Sequence, residues 1–476
     1  MSFDFPQDSV QSNYSSSKPS DESVAISHHE EIDAELSRLF NKFKTDGLPI
    51  EVDFRELVNW IPYSDSYTHY IHSYPAKLLK HIPIFFLNSK ILLPEKGSVV
   101  LDPFCGSGTV LLESMLSGHN SLGCDANPLA RLIAKVKTTK LDSNVIRSQK
   151  NNIVAKAKRL RKFAPLNVTN IDHWFPKKTQ LHLSKLIRAI EGLPESNEKD
   201  FFKATFSSII KKVSFSDPNL SVPVKIKPSK YNDPTTKEKA EKQLLSVENT
   251  DVLSVFEKHI EQNIKRIDLL EQVDTESLKC EVISKDARKI SSSLSPNSEP
   301  LKANSVDFIV TSPPYAGAQK YVRSSSLNLG WLGFCEKNTL RDYERLNIGR
   351  EHYSKSEYKD IIQLSIEEID RVLERIWEKN PLRAHINGNY LLEMKSAIAE
   401  MYRVLKTDKY CTIVIGNNEV CGEPFETQKF IRLLAEQTGF KTELVLVDEI
   451  HSRGLMTKRN KTASVINSEW ILVFKK

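Results

Sequence analysis

Thr311-Ser312-Pro313-Pro314-Tyr315 is the stretch whose residue types are best suited to chemistry. It follows the apolar run Val306-Asp307-Phe308-Ile309-Val310, which predicts a buried strand. Two consecutive prolines cannot continue a hydrogen-bonded ladder, so the strand must end there. The loop they form lacks two N–H donors and holds its carbonyl acceptors in fixed positions. With the Ser312 hydroxyl before the prolines and the Tyr315 ring after them, it forms a small rigid pocket for a flat, amine-bearing group. The acceptors take the N–H bonds and the ring takes the π face, which suits the exocyclic amine of a nucleobase. Taken alone, the pentapeptide also fits a plain proline turn with a packed tyrosine.

A second motif lies upstream. Gly97-Ser98-Val99-Val100-Leu101-Asp102 predicts a strand, Pro103-Phe104-Cys105-Gly106-Ser107-Gly108-Thr109 a glycine-rich turn, and Val110 to Leu116 a helix. This is how a doubly wound α/β domain opens, with its ligand at the carboxyl end of the first strand. The glycines let a ligand approach the backbone, and Asp102 can accept a bond from an ammonium group. Ser121 to Pro128 predicts a second strand ending in Asp125, 17 positions after Gly108, where an acid can take both hydroxyls of a ribose. No Gly-x-x-x-x-Gly-Lys-Ser/Thr sequence is present, which disfavours a P-loop nucleotidase. The Gly106-Ser107-Gly108-Thr109-Val110-Leu111 run lacks the last glycine of a dinucleotide fingerprint.

Asp102 to Thr109 together with Thr311 to Tyr315 resembles the S-adenosylmethionine-dependent DNA amino-methyltransferases. The serine form of the tetrapeptide resembles the cytosine-N4 subgroup; adenine-N6 enzymes more often carry Asp or Asn at the position of Ser312. Thr68 to Lys77 resembles the segment that precedes the glycine loop in these enzymes and helps hold the methionine end of the cofactor. Asn460 followed by Glu469 to Phe474 resembles the closing hairpin of the fold. The resemblance covers roughly residues 60–140 and 276–476. It implies an α/β fold: a Rossmann-like class I methyltransferase sheet carrying a mainly helical insertion. It implies S-adenosylmethionine as cofactor, held by Asp102, Pro103, Phe104, Gly106, Gly108, Thr109, Asp125 and Asp286, with His72 and Lys77. It implies Ser312, Pro313, Pro314 and Tyr315 as the catalytic set, with no metal. Ser312 Oγ and the Pro313 carbonyl would accept the amine N–H bonds, and Tyr315 would stack on a base flipped out of double-stranded DNA. The implied setting is cytoplasmic restriction-modification or phage defence, with a cognate restriction endonuclease as partner. DNA adenine-N6 or RNA base methylation, and a catalytically inactive DNA-binding protein of the same fold, remain open alternatives. A cytosine-C5 enzyme is discounted, because the loop has no cysteine nucleophile and Cys335 lies 20 residues past Tyr315. The order of cofactor loop before tetrapeptide resembles the alpha-type arrangement, while the segment around His72 to Lys77 looks more like the beta type.

A chain of 476 residues allows two or three domains. No apolar run is long enough to span a bilayer, and the N-terminus lacks a signal pattern. The six cysteines show no C-x-x-C pairing and read as free thiols. The net charge of +6 is unevenly spread. Residues 1–60 carry 5 Lys/Arg against 12 Asp/Glu, while residues 141–230 carry 18 against 7. A basic block of that size can neutralise backbone phosphates; a solvated lysine-rich surface is the alternative. The organisation expected is a disordered tail over 1–27, then an N-terminal helix and the cofactor half over 28–140. A mainly helical basic insertion over 141–275 follows, as candidate target-recognition region, and then the catalytic half over 276–476. Helices are predicted over Glu30 to Phe43, Asn151 to Phe163, Gln180 to Gly192, Asp200 to Val213, Thr236 to Val247, Val252 to Val273, Tyr358 to Glu378 and Leu391 to Leu405. Lys458-Arg459-Asn460-Lys461 is a basic hairpin tip that suits the DNA backbone or solvent.

Overall fold

The computed structural model describes residues 22–61, 67–75, 77–161, 168–275, 277–291, 294, 299–316, 321–336, 339–450 and 467–476, with backbone alone for 22–27 and 321. Most of the expected tail, Ala76, Phe163 and the basic hairpin with Asn460 lie outside them.

Ten strands are present among the described residues: β1 (Ile50–Val52), β2 (Val99–Asp102), β3 (Asn120–Cys124), β4 (Cys280–Ser284), β5 (Val306–Thr311), β6 (Leu405–Ile415), β7 (Asn418–Val420), β8 (Glu423–Phe425), β9 (Lys441–Glu449) and β10 (Ser468–Lys475). Eight form one sheet in the order β1-β9-β10-β6-β5-β2-β3-β4, and β7 and β8 pair separately. Within the large sheet only β10 runs antiparallel to its neighbours, β9 and β6. The fold is therefore a Rossmann-like methyltransferase sheet, as the motifs imply. From β2 the chain steps outward through β3 to β4 and returns on the other side of β2 as β5. That reversal puts a crevice at the carboxyl ends of β2 and β5, which is where open α/β sheets bind ligands.

The strand sequences explain their burial. In β5, Val306, Phe308, Ile309 and Val310 are fully buried, as in a strand covered on both faces. Asp307 breaks this run but is satisfied, accepting from Val99 N at 2.9 Å and from Lys406 Nζ at 2.7 Å. The helix Pro128–Lys137 after β3 starts at an Asn127 cap, whose side chain accepts from Leu129 N, with proline in its first turn.

The basic helical region does not stand apart. Its helices Ser143–Arg159, Lys177–Glu191, Asn197–Ile210 and Val252–Glu271 share one apolar core with Pro128–Lys137 and with residues 322–332. Trp331 is fully buried there and meets Phe175 edge-on at 5.6 Å between ring centroids. The inserted helices thus pack directly on the cofactor half and on the chain that follows Tyr315.

Several boundaries differ from expectation. The first helix runs Glu22–Asp46, so residues 22–27 are helical and not tail. The stretch from Tyr358 turns helical only at Glu367–Lys379, because the Asp370 carboxylate accepts from Leu364 N at 2.7 Å and Ile366 N at 3.2 Å and closes the helix start there. The next helix begins earlier than predicted, at Pro381–Val404, capped by Asn380. β1 and the β7–β8 pair carry no strong pattern and are found only in the structure. No helix among the described residues is long and apolar enough to cross a membrane.

Candidate active site

The two strand ends at the crevice are tied together. Asp102, the last residue of β2, accepts the Thr311 hydroxyl from the end of β5 at 2.5 Å and Phe104 N at 3.0 Å, both on Oδ1. Asp102 is almost fully buried. Burial is the main force raising its carboxyl to about 7; its two bonds pull the other way and the nearby Asp125 adds to the rise. No cationic side chain is among those influences.

Asp125 follows β3. Gly106 N donates to its Oδ2 at 3.0 Å and Asn127 N to its Oδ1 at 2.7 Å, which locks the glycine loop against the second acid. Burial again dominates, raising this carboxyl to about 6 against the pull of those two N–H bonds. Asp286, after β4, is gripped by Arg288 through Nε at 2.9 Å and Nη2 at 3.0 Å. Arg288 also donates to Glu393 Oε1 at 2.8 Å and to the Leu346 carbonyl at 3.3 Å, fastening the 346–348 wall of the crevice to this acid.

One cleft gathers Pro103, Phe104, Gly106, Asp125, Asp286, Ser312 and Pro314, with Tyr74, Lys285 and Leu346 to Ile348 completing it. Residues far apart in sequence are thus brought to one place. Pro313 is buried behind the cleft, and Tyr315 is partly buried with its Oη 3.3 Å from Glu469 Oε1. Gly108 and Thr109 shape the turn into the helix Thr109–Leu116. Gly108 has φ +78, and a Cβ there would stand 2.9 Å from both Cα and Cβ of Ala134. Gly108→Ala is therefore expected to cost about 2–4 kcal/mol through left-handed strain and overpacking, read as a lowered thermal midpoint.

His72 and Lys77 lie elsewhere. His72 is buried with Nε2 3.0 Å from Ser207 Oγ, and Asn328 Nδ2 donates to the same hydroxyl at 2.8 Å. Burial first, then the Lys77 charge, lowers the imidazole to about 3, so it is neutral. It serves a polar joint between the inserted helices and the segment after Tyr315, not the cleft wall. Lys77 donates to the His69 carbonyl at 2.7 Å and borders a separate cavity with Thr109, Lys80 and His81.

Sequence reasoning missed Tyr74, Arg288 and the Leu346 to Ile348 wall. Tyr74 lies within the Thr68 to Lys77 segment, and its hydroxyl accepts from Asn127 Nδ2 at 3.0 Å. Arg288 and the wall have no spacing signature; only the fold reveals them.

The cleft offers two acids at successive strand tips, Asp125 and Asp286, among apolar walls, with Lys285 also lining it; Asp102 is not among its lining residues. The profile of the N6/N4 DNA methylase family matches residues 5–135. Type II methyltransferase M.MvaI of Kocuria varians is 24% identical over 372 residues, covering 74% of this chain and 77% of that protein. Type II methyltransferase M.BsoBI of Geobacillus stearothermophilus is 23% identical, covering 93% of this chain and 92% of that protein. A shorter match, 34% over 96 residues, is to Type II methyltransferase M.MjaII of Methanocaldococcus jannaschii. These matches support the DNA amino-methyltransferase family for this chain. The glycine loop, Asp125, Asp286 and Ser312 thus reach one cleft from the ends of β2, β3, β4 and β5.

Proposed function

We propose that this protein methylates the N4 amine of cytosine in double-stranded DNA, using S-adenosylmethionine, as the protective half of a Type II restriction-modification pair. The observation that carries the reading is Ser312 with Pro314 in the same cleft as Asp125 and Asp286. The likeness to proteins named Type II methyltransferases supports the setting.

S-adenosylmethionine, when bound, supplies a methyl group already activated by its sulfonium. The protein then has to hold, orient and shield. Asp102 would take the ammonium, Asp125 the ribose hydroxyls and Asp286 the adenine edge, with Phe104 and Ile348 as apolar walls. Ser312 Oγ and the Pro313 carbonyl would accept the two N–H bonds of the cytosine amine, drawing its lone pair out of ring conjugation. The base must leave the duplex to reach this pocket, and Tyr315 supplies a face on which it can stack. The basic helical region would contact backbone phosphates and read the target. Some of its cations are used internally, as in Lys150 with Glu261 at 2.6 Å and Lys203 with Glu191 at 3.2 Å.

The matching family embraces N6 and N4 enzymes alike, so adenine is the competing target. Nucleosides from unmethylated genomic DNA incubated with the protein and methyl-labelled cofactor decide the matter by mass spectrometry. Label is expected in N4-methylcytosine; label confined to N6-methyladenine would overturn the cytosine assignment.

A further inference from the structure

Glu469 stands near the start of β10, at the sheet end that carries the cleft, and takes the phenol of Tyr315 at 3.3 Å. Directly opposite it on β9 is Asp448, buried and paired across the ladder. Behind Asp448 is Arg55, whose Nη1 lies 3.6 Å from Asp448 Oδ2 and 3.5 Å from Asp53 Oδ1. A row of charged groups, with Asp448 buried at its centre, thus runs from the helix Phe54–Leu57 through β9 and β10 to the aromatic ring of the proline loop. A carboxylate half-buried on a closing strand is costly unless it does something for its neighbours.

We infer that Glu469 is a positioning residue for the target base: it holds the Tyr315 ring by its phenol in the attitude on which an extruded base stacks. This rests on the methyltransferase reading of the proline loop. The two prolines fix the backbone of Tyr315 but leave its side-chain torsions free, so the loop alone cannot orient the ring. An anchor at the far end of the ring removes that freedom before the base arrives, and binding no longer has to supply the ordering.

The anchor also titrates. Burial, followed by the nearby Asp448, raises the Glu469 carboxyl to about 7, while the Tyr315 hydroxyl and Arg55 pull it down. Above that pH the carboxylate accepts the phenol in a charge-assisted bond; below it the acid is neutral and the bond weakens. The groups facing it are Asp448 from β9, Arg55 from the short helix and Tyr315 from the loop.

The test is a double-mutant cycle on kcat/KM for unmethylated genomic DNA at saturating cofactor, followed across pH 5.5 to 9. Glu469→Gln and Tyr315→Phe are each expected to lower kcat/KM about 10-fold at pH 8, with the cofactor Kd from calorimetry unchanged. The double variant is expected to be no worse than either single, because both remove one bond. Wild type is expected to rise through about pH 7 to a plateau, and both variants to lose that rise. An active wild type with Glu469→Gln indistinguishable from it, or additive losses in the double variant, would overturn the inference alone. A wild type inactive on every DNA would overturn it together with the reading it rests on.

Discussion

Ser312→Ala is expected to lower kcat about 10²-fold while leaving the cofactor Kd within about twofold and the thermal midpoint unchanged. The size follows from what the hydroxyl does. The cytosine amine donates its lone pair into the ring, and only acceptors placed on its two N–H bonds favour the pyramidal nitrogen that can attack. In the proposed reaction Ser312 Oγ is one of two such acceptors, and a fixed acceptor that matters chiefly at the transition state appears in kcat rather than in ground-state affinity. The stability expectation follows from position: Ser312 lies partly exposed in the cleft just beyond β5, so losing one oxygen opens no core cavity. The acids proposed to hold the cofactor hang on other strands, Asp125 after β3 and Asp286 after β4. Ser312→Asn puts an amide oxygen near the same place, as in many adenine enzymes, and is expected to recover part of the loss. Single-turnover methylation with calorimetry of cofactor binding measures both quantities. A variant with wild-type kcat would remove Ser312 from the amine's acceptors.

The reach of the sequence can be judged from the same residues. β2, β3 and β5 were legible because each ends in a residue that cannot be ordinary strand: Asp102 before a Pro-Phe-Cys-Gly turn, Asp125 before an Asn-Pro cap, and Pro313-Pro314. Their meeting was legible too, because a strand–loop–helix opening carries a topology with it. What failed was local in each case. His72 was placed by resemblance near the methionine end of the cofactor, yet its partners are Ser207 and Asn328, distant residues that no pattern ties to it. Arg288 grips Asp286 from two residues on, and such a pair reads in sequence as any surface turn. Glu469 was read as part of a hairpin, because a strand's alternation says which face a residue takes but not which loop crosses that face. The basic insertion was visible as charge and helical period. Its fusion with Pro128–Lys137 and residues 322–332 was not, since a shared core leaves each helix as amphipathic as an independent domain would.

Asp102→Asn is expected to do two opposite things: to raise the thermal midpoint of the free protein at pH 8 and to weaken cofactor binding by about 10²-fold or more. The stabilisation follows from linkage. The folded carboxyl sits at about 7 against an ordinary value of 3.8, so folding favours its protonated form. That contribution is fully present below about pH 4, where the unfolded chain is protonated as well. It is lost as pH rises toward 7, because the unfolded chain gives up the proton while the folded one retains it. Above 7 the folded protein carries a buried charge that an asparagine does not have. The substitution also keeps the local bonds. Thr311 Oγ1 and Phe104 N both donate to the same oxygen, so an amide oxygen in that place accepts both, and the amide nitrogen falls where Oδ2 was. That nitrogen would then face the cofactor's ammonium with donors instead of a negative charge, which is the source of the lost affinity. The gain in midpoint should therefore shrink to nothing as pH falls to about 4. In wild type, the midpoint shift caused by S-adenosylhomocysteine should be larger at pH 8 than at pH 5.5. In the proposed binding mode the ligand draws on the ionised forms of Asp102 and of Asp125, the latter held at about 6. Thermal unfolding of both proteins with and without the ligand, across that pH range, reads every part of this. A variant less stable than wild type at pH 8 would mean that an unseen cation already balances Asp102. An unchanged ligand affinity would mean that the ammonium is held elsewhere, and the fold would then be using a deeply buried acid for something other than the cofactor.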